Sequence, residues 1–253
     1  MGDTRSLGAG GAKRGGKTSV AQLRAAAEHL LGCAVADLPA ALDALRDALA
    51  AEKNATVGYT PEPLDFYCEE QWVTDLLFDA EEFKGNIVDP CCGRGMILKA
   101  AMERGFDVRG FDIANRRDVL VADFPFEIMG FLDERHPVGE CDNIIMNPPY
   151  SYQKGIAEVF IRYALTVAKR KVAALLPNKF KSSNGRYDLF KNTCHSRTHW
   201  LMSRPSMPPG SLLTTGKIEA TGGKVDYAWF IWERGFTGAA TDNYLIRPER
   251  LSR

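Results

Sequence analysis

Four residues near the middle of the chain, Asn147-Pro148-Pro149-Tyr150, bring a carboxamide, two ring-locked backbone units and an aromatic face into one short run. The prolines restrict φ and hold a backbone carbonyl in place as a preorganised acceptor, and the tyrosine offers a face on which a planar group can stack. Upstream, Asp89-Pro90-Cys91-Cys92-Gly93-Arg94-Gly95 places an acid and two glycines in a turn. Gly93 and Gly95 allow close approach of the backbone to a ligand, and Asp89 would attract a cationic group. Asp112 follows Gly95 by 17 residues, near the offset at which Rossmann-like folds place a ribose-binding acid. Taken singly, Asn-Pro-Pro also reads as a turn and each Asp as a cap or turn residue. Their joint placement points to a site.

The elements that must carry these residues alternate between strand and helix. Asn86–Asp89 reads as a first strand that breaks at the glycine-rich turn into a helix over Met96–Arg104, which Gly105 ends. Val108–Phe111 gives a second strand with Asp112 at its carboxyl end, and Val119–Ala122 a third, ending in Asp123-Phe124. Asn143–Met146 is the fourth, ending in Asn147. Each motif thus falls at the carboxyl end of a strand, where open parallel sheets bind ligands. Ile156, Val159, Phe160, Tyr163, Ala164 and Val167 then repeat at helical spacing, and Val172–Leu176 is a fifth strand. His199–Ser203 and Asp226–Trp232 read as an antiparallel pair closing the sheet, separated by a Pro, Gly and Ser-rich excursion, Arg204–Val225, that could cover or contact a substrate.

With the motifs in this order, the stretch from Tyr59 to Gly235 resembles the amino-methyltransferases, specifically the DNA adenine-N6 branch in which the cofactor motif comes first. The resemblance implies an α/β, Rossmann-like class I methyltransferase sheet of seven strands in the order 3-2-1-4-5-7-6, with S-adenosyl-L-methionine as cofactor. It further implies that Asn147 and Pro148 accept the two hydrogens of an exocyclic amine, with Pro149 completing the motif and Tyr150 stacking on a flipped base. Cofactor contacts would come from Tyr59-Thr60-Pro61, from Asp89, Pro90, Cys91, Gly93 and Gly95, from Asp112 and Ile113, from Asp123 and Phe124, and from Asn147. An RNA adenine methyltransferase, a protein glutamine methyltransferase, cytosine-N4 methylation and a non-catalytic cofactor-binding module stay open. A cytosine-5 mechanism lacks its cysteine nucleophile, since Tyr150 stands after the fourth strand.

Composition sets the outer bounds. With 45% hydrophobic and 25% charged residues, the 253-residue chain has the balance of a globular α/β domain with an appendage. No apolar run reaches membrane-span length. The six cysteines show neither disulfide-framework nor paired CxxC spacing, so a reducing cytoplasm is expected and no metal is assigned. The formal net charge of zero hides a split: Tyr59–Tyr150 holds 19 acids against 8 bases, whereas Lys169–Lys217 holds 10 bases against one acid. Lys179, Lys181, Arg186, Lys191, Arg197 and Arg204 are therefore candidates for phosphate contact with nucleic acid, DNA ahead of RNA, against the alternative of a solvated face.

Residues 1–18 read as a flexible basic arm. Gly11–Thr18 satisfies the P-loop pattern without the strand that would anchor it, and Met1–Ser6 fits a myristoylation pattern of little specificity. Residues 19–55 read as a helical hairpin whose apolar stripes can meet each other, the main domain or a second subunit, as in a homo-oligomer. The catalytic domain occupies 56–253.

Overall fold

The computed structural model describes residues 63–118, 121–133, 139, 141–214 and 223–248. The basic arm, the helical hairpin and Tyr59-Thr60-Pro61 lie outside the described residues. Eight strands are described: β1 (Ile87–Asp89), β2 (Val108–Asp112), β3 (Phe126–Ile128), β4 (Cys141–Met146), β5 (Ala168–Pro177), β6 (His195–Leu201), β7 (Tyr227–Glu233) and β8 (Thr241–Leu245). They form one sheet in the order β3-β2-β1-β4-β5-β7-β6-β8. The strands β1 to β5 pair in parallel, while β7 runs antiparallel to both β5 and β6. This is the expected Rossmann-like order, extended by β8, which lies parallel to β6 at the edge.

Alternation along the central strands explains why the sheet is filled on both faces. Ile144 and Met146 of β4, Ala174 and Leu176 of β5, and Phe230 and Trp232 of β7 belong to one core cluster. Their neighbours Ile145, Ala173, Leu175, Trp229 and Ile231 belong to the other. Helix α3 (Ile156–Val167) covers the first face through Phe160, Ile161 and Ala164. Helices α1 (Gln71–Ala80) and α2 (Met96–Met102) cover the second through Val73, Leu77, Ile97 and Leu98. Strands buried on both faces read as continuous apolar runs, as AALL and YAWFIW do here. Tyr227, Trp229 and Trp232 are accordingly core residues, and the Trp229 indole donates to the Val73 carbonyl at 2.9 Å.

Two expectations need correction. The strand described beside β2 is β3, later than the expected span Val119–Ala122, and Asp123-Phe124 precede it rather than end it. Phe124 is buried beneath the glycine-rich turn, so close that an added Cβ at Gly95 or Gly110 would stand 2.3 or 2.6 Å from its ring. Val121 and Ala122 are not in a strand, and Val119 and Leu120 lie outside the described residues. The strand after Pro177 begins at His195 and stops at Leu201, earlier than the span His199–Ser203. Among the described residues, no helix is long and apolar enough to cross a membrane.

Candidate functional site

At the carboxyl ends of β1, β2 and β4, a cavity of about 400 Å³ opens. Its walls come from Asp89–Arg94 after β1, from Asp112 and Ile113 after β2, and from Asn147 and Pro149 after β4. The sheet order puts β1 between β2 and β4, so three motifs far apart in sequence share one cleft. Gly93 and Gly95 both have positive φ, +50° and +94°, which turns the chain sharply from β1 into α2.

Asp112 is buried and ties the turn together. Its Oδ2 accepts the Gly93 N–H at 2.9 Å and its Oδ1 the Ala114 N–H at 3.1 Å, with the Arg116 guanidinium 3.5 Å away. Asp89 is buried too, and its Oδ1 accepts the Cys91 N–H at 3.1 Å. Burial pushes the Asp89 carboxyl well above the usual carboxylate range, and the nearby Glu69 and Asp112 push it further. Glu69 and Asp112 are likewise raised by burial, against the Asn147 hydrogen bond in the first case and Arg116 in the second. The lining contains Asp65, Glu69, Asp89, Asp112 and Asp133 against Arg94 and Arg116, and Arg94 is bound to Asp118 at 2.7 Å. Such a cavity favours a cation.

The fourth wall was not read from the sequence. A strap, Leu64–Glu69, closes the cleft immediately downstream of Tyr59-Thr60-Pro61. Leu64 and Asp65 hold positive φ, 56° and 54°, a conformation uncommon for side-chain-bearing residues. Asp65 compensates by accepting the backbone N–H groups of Tyr150, Ser151 and Tyr152. Phe66 packs beside Gly93 and Gly210, with the Arg116 guanidinium 4.7 Å from its ring centroid. Part of the excursion Arg204–Val225 meets the strap: the Cys68 N–H donates to the Pro208 carbonyl at 3.2 Å and the Gly210 N–H to the Phe66 carbonyl at 2.8 Å.

Asn147 lies in the lining with its carboxamide engaged at both ends. Its Nδ2 donates to Glu69 Oε2 at 2.8 Å, and its Oδ1 accepts from the Tyr150 hydroxyl. That hydroxyl also lies 2.8 Å from the Leu175 carbonyl, and the Tyr150 ring packs against both core clusters rather than lining the cavity. The exposed aromatic at the mouth is Tyr152. Pro148 is buried, and Pro90, Cys91, Pro149 and Ile113 take up positions along the lining. Asp123 and Phe124 do not. Asp123 is exposed and 3.8 Å from Arg117, and the chain after the true third strand lines the cleft instead, at Gly130–Asp133.

The basic run does not form one face. Lys179 and Lys181 follow the carboxyl end of β5, on the same sheet end as Asn147, and Arg204 follows that of the parallel β6. The chain then returns to the amino half of the sheet, because His195 is in register with Trp232, itself paired with Val172. Lys191 stands on that return leg. Arg197 is a correction: it is bound to Glu81 and Glu233 in a part-buried cluster with Lys171 and His199, and is not placed for phosphate contact. Arg186 stacks on Phe180 at 4.1 Å and Arg204 pairs with Asp226 at 2.7 Å. Lys154, just past Tyr152, is an exposed cation in the chain beyond the carboxyl end of β4 that sequence reasoning passed over.

No family model matches the sequence, and no curated protein matches it. Solved structures that resemble the fold include magnesium protoporphyrin IX methyltransferase from Synechocystis, 16% identical over 65% of this chain and 79% of that one, TM-score 0.45. The 23S rRNA methyltransferase ErmE is 13% identical over 68% of this chain and 70% of its own, TM-score 0.45. An rRNA methylase from Streptococcus thermophilus is 12% identical over 63% and 93%, TM-score 0.39.

Proposed function

We propose that this chain transfers a methyl group from S-adenosyl-L-methionine to the exocyclic N6 amine of adenine in DNA. The observation that carries the reading is the single cleft in which the glycine-rich turn, Asp112 and Asn147 share the wall. Its volume falls in the range of small-molecule sites, roughly 300 to 1,000 Å³. Its excess of buried carboxylates fits a ligand bearing an ammonium and a sulfonium. Asp89 would hold the ammonium, the backbone at Gly93 the methionine portion, and Asp112 the ribose hydroxyls. When bound, the cofactor supplies an electrophilic methyl group.

The protein's own residues then solve the nucleophile's problem. An exocyclic adenine amine has its lone pair delocalised into the ring, so the site must hold the nitrogen nearer to tetrahedral geometry. Asn147 Oδ1 and the Pro148 carbonyl would accept its two hydrogens, and the prolines keep that pair from rearranging during attack. A base reaches such a pocket only when flipped from the duplex, and an aromatic face at the mouth helps retain it. Tyr152 presents that face here.

The test is incubation with methyl-labelled cofactor and separate DNA, RNA and protein pools, followed by nucleoside analysis. Label in N6-methyladenine from DNA is expected. Label confined to RNA or glutamine would overturn the substrate assignment, and none in any pool the enzymatic one.

A further inference from the structure

The two ends of the Asn147 carboxamide are nearly isosteric, so packing alone cannot choose between orientations that offer a substrate amine opposite chemistry. An oxygen turned to the amine accepts its hydrogen; an NH2 in the same place repels it. Hydrogen-bond partners must decide. Tyr150 does not, because its one hydroxyl proton can go to Asn147 Oδ1 in one orientation, or in the other to the Leu175 carbonyl 2.8 Å away, leaving its oxygen to accept from Nδ2. Glu69 is different. Its Oε2 accepts from Asn147 Nδ2 at 2.8 Å, a bond that favours the ionised form against the rise imposed by burial, and in that form the carboxylate only accepts. Turning the amide over would set two acceptors against each other with no hydrogen between them. The Tyr67 carbonyl, 3.5 Å from Nδ2, adds a weaker bias in the same direction.

Glu69 is itself held. It is 9% exposed and sits on the strap that closes the cleft. Its neighbour Glu70 accepts the Ser206 N–H at 2.8 Å and lies 3.7 Å from Arg247, which ties the end of the strap to the chain beyond β6 and β8. From this geometry we infer that Glu69 is the positioning residue that sets the orientation of the Asn147 carboxamide. Nδ2 is directed to the strap, and one lone pair of Oδ1, the one not used by Tyr150, is left for the incoming amine. The catalytic consequence rests on the methyl-transfer reading; the orientation itself does not.

The experiment therefore has two arms. In the first, the side-chain NH2 of Asn147 is observed by 15N-edited NMR, assigned by its disappearance in Asn147→Asp. Glu69→Ala should speed its hydrogen exchange by about tenfold or more, while Glu69→Gln, which can still accept through Oε1, should change it much less. In the second, single-turnover transfer is measured with cofactor affinity alongside. Glu69→Ala should slow transfer about tenfold or more at near-normal affinity. Asn147→Asp should be slowed strongly, because two carboxyl groups meet and must share a proton that leaves the outward oxygen unfixed. Adding Glu69→Gln should recover part of its activity by restoring a donor and acceptor pair, a rescue that a merely structural role would not give. Unchanged amide exchange in folded Glu69→Ala overturns the inference, as does an Asn147→Asp/Glu69→Gln protein no better than Asn147→Asp. Should Glu69→Ala fail to fold, the rescue pair still decides. A protected amide in a protein that methylates nothing leaves the positioning intact and removes the methyl-transfer reading.

Discussion

Replacing Asp112 by Asn separates ligand binding from loop architecture, because the carboxylate serves both. In the free protein its two oxygens accept the Gly93 and Ala114 N–H groups at 2.9 and 3.1 Å. An amide keeps one acceptor, so one of these donors must face an NH2 whichever way the side chain sits. Loss of such a bond at a side chain only 3% exposed costs about 1 to 3 kcal/mol. Burial, however, already penalises the charged form and raises the Asp112 carboxyl, so a neutral replacement relieves part of that cost and some repulsion with Asp89. The stability of the free protein should therefore change less than its affinity for S-adenosylmethionine. Affinity loses the charge-assisted acceptance of ribose hydroxyls, about 1.5 to 3 kcal/mol, or roughly 10- to 150-fold in Kd. Calorimetric titration at neutral pH, with a thermal melt of each free protein, measures both. An unchanged Kd in a variant that melts cooperatively would remove Asp112 from the cofactor site and refute the reasoning.

Asn147→Ala should lower single-turnover methyl transfer to an adenine-containing duplex by about 100-fold or more, with cofactor affinity little changed, because it deletes a preorganised acceptor; near-normal transfer would reject the mechanism. Nucleic-acid binding should weaken steeply with salt, and joint neutralisation of Lys154, Lys179 and Lys181 should flatten that dependence by about one unit of slope for each phosphate left without its cation. Lys191→Gln, on the return leg, should leave the slope unchanged; equal effects from both sets would mean that the geometry of the sheet end does not select which cations meet phosphate. Burial opposes ionisation of Glu81, but bonds from His199, Arg197 and Lys171 prevail and lower its carboxyl from the usual 4.5 to about 2. That difference stabilises the fold above about pH 4.5 and is lost as pH falls toward 2, so Glu81→Gln should shrink the acid-side loss of melting temperature across that window. Identical acid limbs in wild type and variant would contradict it.

What the sequence revealed, and what it hid, follows from where each residue sits relative to the core. The strands β1, β2, β4 and β7 and the helix α3 are apolar runs or stripes because both faces of the sheet are covered, and burial leaves a pattern that periodicity can detect. The two edge strands carry no such mark: Glu127 and Ile128 of β3 are exposed, as are the first four residues of β8, so neither FEI nor TDNYL shows the alternation of a half-buried strand. The expected third strand missed in the other direction: Val121 and Ala122 are not in a strand, and Phe124 just after them fills the space left by two glycines. That complementarity, ring against missing Cβ, exists only once β1 and β2 are side by side.

The same distinction explains the site. Asp89, Asp112 and Asn147 could be located because each ends a strand, and strand ends converge by topology. Glu69 could not, since next to Glu70 and ahead of an amphipathic helix it reads as one more solvated acid at a helix start. Its role depends on the chain folding back across a separation of 78 residues to bring the end of β4 to the strap, and on a carboxylate there that accepts from Asn147 and cannot donate to it. A residue that works by touching substrate can leave a motif at a fixed spacing. One that works by deciding which end of another side chain faces outward needs only to arrive there, and the three-dimensional arrangement is its only signature.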